Sequence, residues 1–152
     1  MKILLWLLIL SPSVSLWAAD DLSDAKTAFA TLVQYQKDDD IRALDLFTQH
    51  CLIVYKVIDD KPETNTVIIP AETFRASLKK EIEQKPGNKD EYRNVQYVSD
   101  GFSVTVTANM YNPDTGKETP FLAKYGRGSD GMMKIEEMRV TIFKSNKGLP
   151  AR

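Results

Sequence analysis

Between Tyr92 and Lys144, strand-length runs are separated by Ser99-Asp100-Gly101, Asp114-Thr115-Gly116 and Ser129-Asp130-Gly131. Each turn closes on a glycine, which reaches the positive φ of a tight hairpin without a Cβ penalty. Within the runs, Phe102, Val104, Val106, Ala108 and Met110 alternate with Ser103, Thr105, Thr107 and Asn109. That period of two predicts strands with one buried and one wetter face. The stretch is read as a four-stranded antiparallel meander. In its last strand Met133 and Ile135 share one face, whereas Met138, Val140 and Ile142 fall out of phase by one residue. A β-bulge around Glu136-Glu137 restores the phase and bends the strand. Bent strands of about ten residues, roughly 33 Å long, wrap a sheet around a filler.

The filler is predicted upstream. Leu22, Ala25, Phe29, Leu32, Val33 and Gln36 recur at three- and four-residue intervals and trace one face of an amphipathic helix ending near Lys37. Asp20, Asp21, Ser23 and Asp24 are expected to cap its start, where acidic and hydroxyl groups accept unpaired amide hydrogens. Asp38-Asp39-Asp40 breaks the helix, and one of these aspartates is expected to cap a short second helix with Ile41, Leu44 and Phe47 inward. The triplet lacks the Asp-x-Asp-x-Asp-Gly spacing of a calcium loop. The run from Cys51 to Val57 is a strand, Asp59-Asp60-Lys61-Pro62 a turn, and Thr66 to Ile69 a brief second strand. Pro70 is expected to open a third helix with Phe74, Leu78 and Ile82 inward, followed by a polar connection from Glu83 to Asp90.

The N-terminus stands apart from this pattern. Lys2 precedes the run Ile3 to Leu10, then Ser11-Pro12 and a small-residue end at Ala18-Ala19. This is the layout of a secretory signal, and the unbroken apolar run is far short of the roughly 20 residues that span a bilayer. The expected organisation is a signal peptide over 1–19, one domain over 20–144 and a flexible tail over 145–152. An exported protein, periplasmic or secreted, with no stable membrane insertion after signal removal, follows from that reading. Loss of Lys2 with the leader takes the 20 basic side chains to 19 against 21 acidic ones. Such near-balance argues against a nucleic-acid binder, which usually shows a basic stripe or a high pI. Cys51 is the only cysteine, so no internal disulfide is available.

The order helix, helix, strand, short strand, helix, four-strand meander resembles the nuclear transport factor 2-like superfamily, the cone fold of ketosteroid isomerase, scytalone dehydratase and SnoaL-like cyclases. Asp40-Ile41-Arg42-Ala43-Leu44-Asp45-Leu46-Phe47 is similar to the family's aspartate-initiated second helix ending in an aromatic. Cys51 to Tyr55 is similar to its first strand, and Ile69-Pro70-Ala71-Glu72-Thr73-Phe74 to its strand-to-helix junction. Asp130-Gly131-Met132-Met133-Lys134-Ile135 is similar to the closing Asp-Gly-x-Trp-Lys-Ile hairpin, with methionine in place of tryptophan. The resemblance implies an α+β fold, a curved, mostly antiparallel sheet wrapped around the long N-terminal helix. It also implies a pocket that members use for hydrophobic ligands or protein partners.

Carried over residue by residue, the isomerase pattern puts Tyr55 where an aspartate base would stand and Leu32 near the place of the helix tyrosine. A phenol with pKa near 10 is a poor proton acceptor at neutral pH. The paired histidines of the dehydratase pattern cannot be formed, since His50 is the only histidine. His50 is expected in the helix-to-strand turn, facing solvent or capping, and adjacent strand residues point to opposite faces, so it and Cys51 are expected to diverge. No metal site and no cofactor are expected. Tyr55 and Glu137 remain as catalytic candidates, and Tyr35, Tyr55, Phe74, Phe121, Tyr125 and Arg139 as ligand-binding ones. Tyr55, Phe74, Phe121 and Tyr125 are aromatics of a kind more often found in a core than in a ligand box. The alternation that buries Met138, Val140 and Ile142 favours an exposed outer sheet face for Glu137, Arg139 and Thr141, where a homodimer can form. The leading expectation is a non-catalytic binding or interaction domain holding a small apolar molecule or a protein partner. The alternatives are a SnoaL-like isomerase, cyclase or dehydratase with an atypical residue set, and a soluble subunit of an envelope assembly.

Overall fold

The computed structural model describes residues 13–58, 65–84 and 87–143, with side chains described from Asp20 to Ile142 within them. The apolar run of the leader, the Asp59 to Pro62 turn and the 145–152 tail lie outside the described residues. The first element is helix α1, Ser13–Lys37, about 37 Å long at 1.5 Å per residue. Ala25, Phe29 and Leu32 are buried along its inward stripe, flanked by partly buried Leu22, Ala28 and Val33. Since α1 starts at Ser13, the acidic residues expected to cap it lie within the helix. Asp21 and Asp24 instead accept hydrogen bonds from Arg127 of the sheet, at 2.7 Å from Nε and 2.8 Å from Nη2.

Helix α1 ends where Asp39 takes a φ of 49°, the left-handed conformation of a helix C-terminal cap. Asp40 then caps the next turn, its carboxylate accepting from the Arg42 amide at 2.9 Å. That turn is a 3₁₀ helix, Ile41–Leu46. Its buried residue is Ala43, with Leu46 three residues on packed against the core, whereas Ile41 is 46% exposed. The expected inward position of Ile41 is therefore corrected. With three residues per turn, the inward stripe runs through Ala43 and Leu46.

Strand β1, Phe47–Ile58, starts four residues before the expected Cys51. The polar Thr48-Gln49-His50 segment hides its beginning from the hydrophobic pattern, and His50 is an exposed strand residue, not a turn residue. Pairing with the last strand is interrupted between Phe47 and Leu52. In that gap Arg75 Nη2 donates to the carbonyls of Phe47, at 2.7 Å, and Thr48, at 3.3 Å. Strand β2, Asn65–Ile69, pairs antiparallel with β1. Helix α2, Ala71–Gln84, follows. Pro70 stands just ahead of it, its carbonyl accepting from the Phe74 amide at 3.0 Å.

The meander comprises β3 (Glu91–Ser99), β4 (Val104–Asn112), β5 (Lys117–Arg127) and β6 (Met133–Phe143). The sheet order is β2-β1-β6-β5-β4-β3, antiparallel except for the parallel β1–β6 pair. The three turn glycines, Gly101, Gly116 and Gly131, have φ of 88°, 66° and 76°. The bulge falls where the phase slip puts it. Lys124 pairs with Glu137 and Tyr125 with Ile135, so Glu136 is the extra residue. A second irregularity lies in β3, where Asn94, at φ 53°, and Val95 fall between the paired Arg93 and Gln96.

The buried alternation of β4 starts at Val104, not at Phe102, which is 92% exposed. The Asp100 carboxylate accepts from the amides of Phe102 (2.9 Å) and Ser103 (2.8 Å), which extends the turn and leaves Phe102 at its tip. The result is an α+β cone. One curved six-stranded sheet wraps α1, and α2 covers part of its open side.

Candidate functional site

The concave face is filled unevenly. Toward the β6 start, Leu32, Val104, Val106, Ala123, Tyr125 and Ile135 are fully buried. Toward the β6 end, the sheet, α2 and the end of α1 enclose a cavity of about 300 Å³. Its apolar walls are Tyr55 from β1, Phe74 and Leu78 from α2, Phe121 from β5, and Met138 and Val140 from β6. That volume is at the small end of the roughly 300–1,000 Å³ range of ligand sites. Its inner end is formed by aromatic packing: Tyr92 meets Phe29 with ring centres 5.3 Å apart and Phe121 at 5.0 Å. The Tyr92 hydroxyl donates to Gln36 Oε1 at 3.1 Å. Burial first, and then Asp90, holds that phenol well above its ordinary pKa, so it stays a neutral donor.

Three carboxylates also line the cavity: Asp39 after α1, Glu81 on α2 and Asp90 ahead of β3. Two of them are held by hydrogen bonds, Asp39 from a backbone amide and Asp90 from a side-chain amide. Asp39 Oδ2 accepts from the Gly87 amide at 3.2 Å, and Asp90 Oδ1 accepts from Asn112 Nδ2 at 2.8 Å. Glu81 has its carboxyl pushed up, by burial first and then by Asp90 and Asp39. The Tyr55 phenol is likewise pushed up by burial and by Glu81. Among the described residues no lysine, arginine or histidine lines this space. No three His, Cys, Asp or Glu side chains among the described residues form a metal-ligand set.

The cavity gathers Tyr55, Phe74 and Phe121 of the residues singled out in the sequence. Others lie elsewhere. The Tyr35 ring stacks under the Arg42 guanidinium, 4.8 Å from its centroid. Tyr125 is fully buried at the packed end, its hydroxyl without a hydrogen-bond partner among the described residues. Arg139 pairs with Glu137. Both project from the outer face, because they alternate along β6 with the inward Met138 and Val140. Tyr55 lies opposite Val140 in register, so it and Glu137 occupy opposite faces of the sheet. Thr141, expected on the exposed outer face, is only 7% exposed. It is a short side chain in an interior strand, flanked in register by Lys56.

His50 is exposed and Cys51 buried, so the two side chains diverge. Burial pushes the Cys51 thiol up to about 12, which leaves it protonated at neutral pH. Sequence reasoning missed Gln36, Asp39, Glu81, Asp90, Tyr92 and Met110, all of which line the cavity. A signal for Glu81 was present. It lies seven residues after Phe74 and three after Leu78, on the helical stripe that Phe74 and Ile82 bury.

No family profile matches the chain, and no curated protein matches it. Solved structures do. An NTF2-like protein of unknown function from Pseudomonas putida superposes with TM-score 0.62 at 10% identity, over 85% of this chain and 91% of that one. A cystatin-like fold protein from Burkholderia xenovorans gives TM-score 0.61 at 17% identity, over 83% and 94%. A candidate dehydratase of the NTF2-like family from Streptomyces avermitilis gives 0.55 at 12% identity, over 82% and 97%. At these identities the likeness is one of fold, and it spans most of each chain. The helix-wrapped curved sheet of this protein is the nuclear transport factor 2-like fold.

Proposed function

We propose that this protein is a binding domain that holds a small apolar molecule in the cavity between α2 and the concave sheet, without performing chemistry on it. The observation that carries this reading is the cavity itself. It is a space of about 300 Å³ walled by Tyr55, Phe74, Phe121, Met138 and Val140, beside a region of the same sheet where Tyr125 and Ile135 are fully buried. Fold alone does not assign the role, since the same scaffold hosts unrelated functions. The side chains favour binding over catalysis. Tyr55, with its phenol pushed above its ordinary value, is a hydrogen-bond donor at neutral pH and not a base. Glu137, its expected partner in an atypical catalytic pair, is on the other face of the sheet. The leader pattern in the sequence supports placing this binding function outside the cytoplasm.

Thermal unfolding against a series of small neutral phenylalkyl alcohols tests the reading. A ligand that binds only the folded state stabilises it by about 2.7 kcal/mol at a hundredfold excess over Kd. Ser77 is exposed on α2 and lines the cavity, so Ser77→Trp obstructs the mouth without altering the core. The expected result is a concentration-dependent rise in Tm that Ser77→Trp abolishes. No shift with any alcohol, or an equal shift in the variant, overturns the proposal.

A further inference from the structure

The polarity of the cavity mouth narrows the chemistry of what it can hold. Asp39, Glu81 and Asp90 come from three different segments yet line the same space. Their proximity is felt at Glu81, whose carboxyl is pushed up by the other two after burial. No described basic side chain shares the lining, and Lys89, beside Asp90, is engaged with Asp114 at 3.1 Å. The C-terminal end of α1 adds to the same sign. Gln36 and Asp39 bring that end to the cavity, and a helix C-terminus carries a partial negative charge.

Two further features separate an organic cation from a metal ion. The carboxylates are spread along the lining and, among the described residues, do not converge as a metal-ligand set. The walls beside them are aromatic: Tyr55, Phe74, Tyr92 and Phe121 line the same space. Ring faces attract ammonium groups, more strongly when water is excluded, and carboxylates do so over a longer range. A carboxylate ligand meets the opposite situation, with no described cation to pair it and three like charges to oppose it.

We propose, resting on the binding reading above, that the ligand class is an organic ammonium with a compact apolar body, its cationic head among Asp39, Glu81 and Asp90 and its body against the aromatic walls. Neutral and anionic molecules of the same shape bind less well.

Calorimetric titration of the full chain with 4-phenylbutylamine, 4-phenylbutan-1-ol and 4-phenylbutyrate separates this inference from the reading it rests on. The three share one apolar body and differ in head-group charge. The amine is expected to bind about tenfold or more tighter than the alcohol, and the butyrate more weakly than either. Glu81→Gln is expected to reduce the amine-to-alcohol affinity ratio by about threefold or more. Circular dichroism confirms that the variant is folded. If the alcohol binds as well as the amine, or the ratio survives Glu81→Gln, the ammonium assignment is overturned while the cavity remains a binding site. If none of the three binds, both the assignment and the binding reading fail.

Discussion

The same four strands of the meander build two different interiors at their two ends. At one end, Tyr125 of β5 and Ile135 of β6 are register partners and belong to one buried core with Leu32 of α1, with no exposure at any of the three. At the other, Phe121 and Val140 are also register partners, but the space above them is bounded by α2 and remains open. The difference lies in what covers the sheet. The packed end is covered by α1, whose Ala25, Phe29 and Leu32 descend into the sheet. The open end is covered by α2, whose cavity side sets the exposed, polar Ser77 and Glu81 beside Phe74, Leu78 and Ile82. A helix that carries polar groups beside its apolar stripe is not drawn fully onto an apolar wall, because burying them unpaired is costly. The cavity is thus the outcome of the same chain that packs tightly elsewhere, and the two ends respond differently to change.

The largest separation is expected from truncating one apolar side chain at each end. Leu32→Ala removes a fully buried side chain from the packed end and is expected to cost about 2–5 kcal/mol. Ile142→Ala, at a half-buried position already lining the cavity, is expected to cost less than about 1.5 kcal/mol. Urea unfolding of the two variants measures both. Equal costs mean that the two ends are packed alike and the cavity is filled by relaxation of the protein.

A smaller contrast, of opposite sign, is expected from two buried hydroxyls. Tyr92→Phe at the open end removes the donor to Gln36 and is expected to lower stability by about 0.5–1.5 kcal/mol. Tyr125→Phe at the packed end removes a hydroxyl without a partner among the described residues, and is expected to leave stability unchanged or raise it by about 1 kcal/mol. Unfolding midpoints of the two variants decide this. A destabilised Tyr125→Phe means that the hydroxyl does have a partner.

The smallest effect concerns the acidic mouth. The Glu81 carboxyl is pushed up in the folded protein, by burial and by Asp90 and Asp39, so the folded state takes up its proton more readily than the unfolded chain. Stability therefore falls as pH rises from the ordinary glutamate value, about 4.3, through the raised folded value, and the penalty is fully present above it. Glu81→Gln removes that slope. It is expected to be slightly more stable than the parent at pH 7 and indistinguishable below about pH 4. A variant that loses stability at pH 7 shows that the carboxylate is held by a favourable partner, and contradicts the repulsive mouth.

Much of the packed end was legible in the sequence because its signals are periodic. The aspartate-glycine turns, the period of two in β4 and the helical stripe from Ala25 to Leu32 each mark their element, and the phase slip at Glu136 marks the bulge. The same kind of slip is present in β3, where Tyr92 packs inward and so do Val95 and Tyr97, three and five residues later. It locates the second bulge at Asn94 as directly as the first was located. Phe102 misled because its strand-like alternation is interrupted by hydrogen bonds from the turn to Asp100, a local competition that periodicity does not register. The open end was less legible. Its walls include residues from both helices and every strand of the meander, and its acids come from segments 9 to 51 residues apart, which no short motif joins.

The central claim, that the open end is a ligand site, is tested most directly by mapping amide chemical-shift changes on the isotopically labelled protein as 4-phenylbutan-1-ol is added. The predicted result is saturable change confined to the cavity wall, at Tyr55, Phe74, Leu78, Phe121 and Val140, with the outer-face residues Leu52 and Arg139 unmoved. Changes centred on the outer face, with the cavity wall silent, would contradict the account.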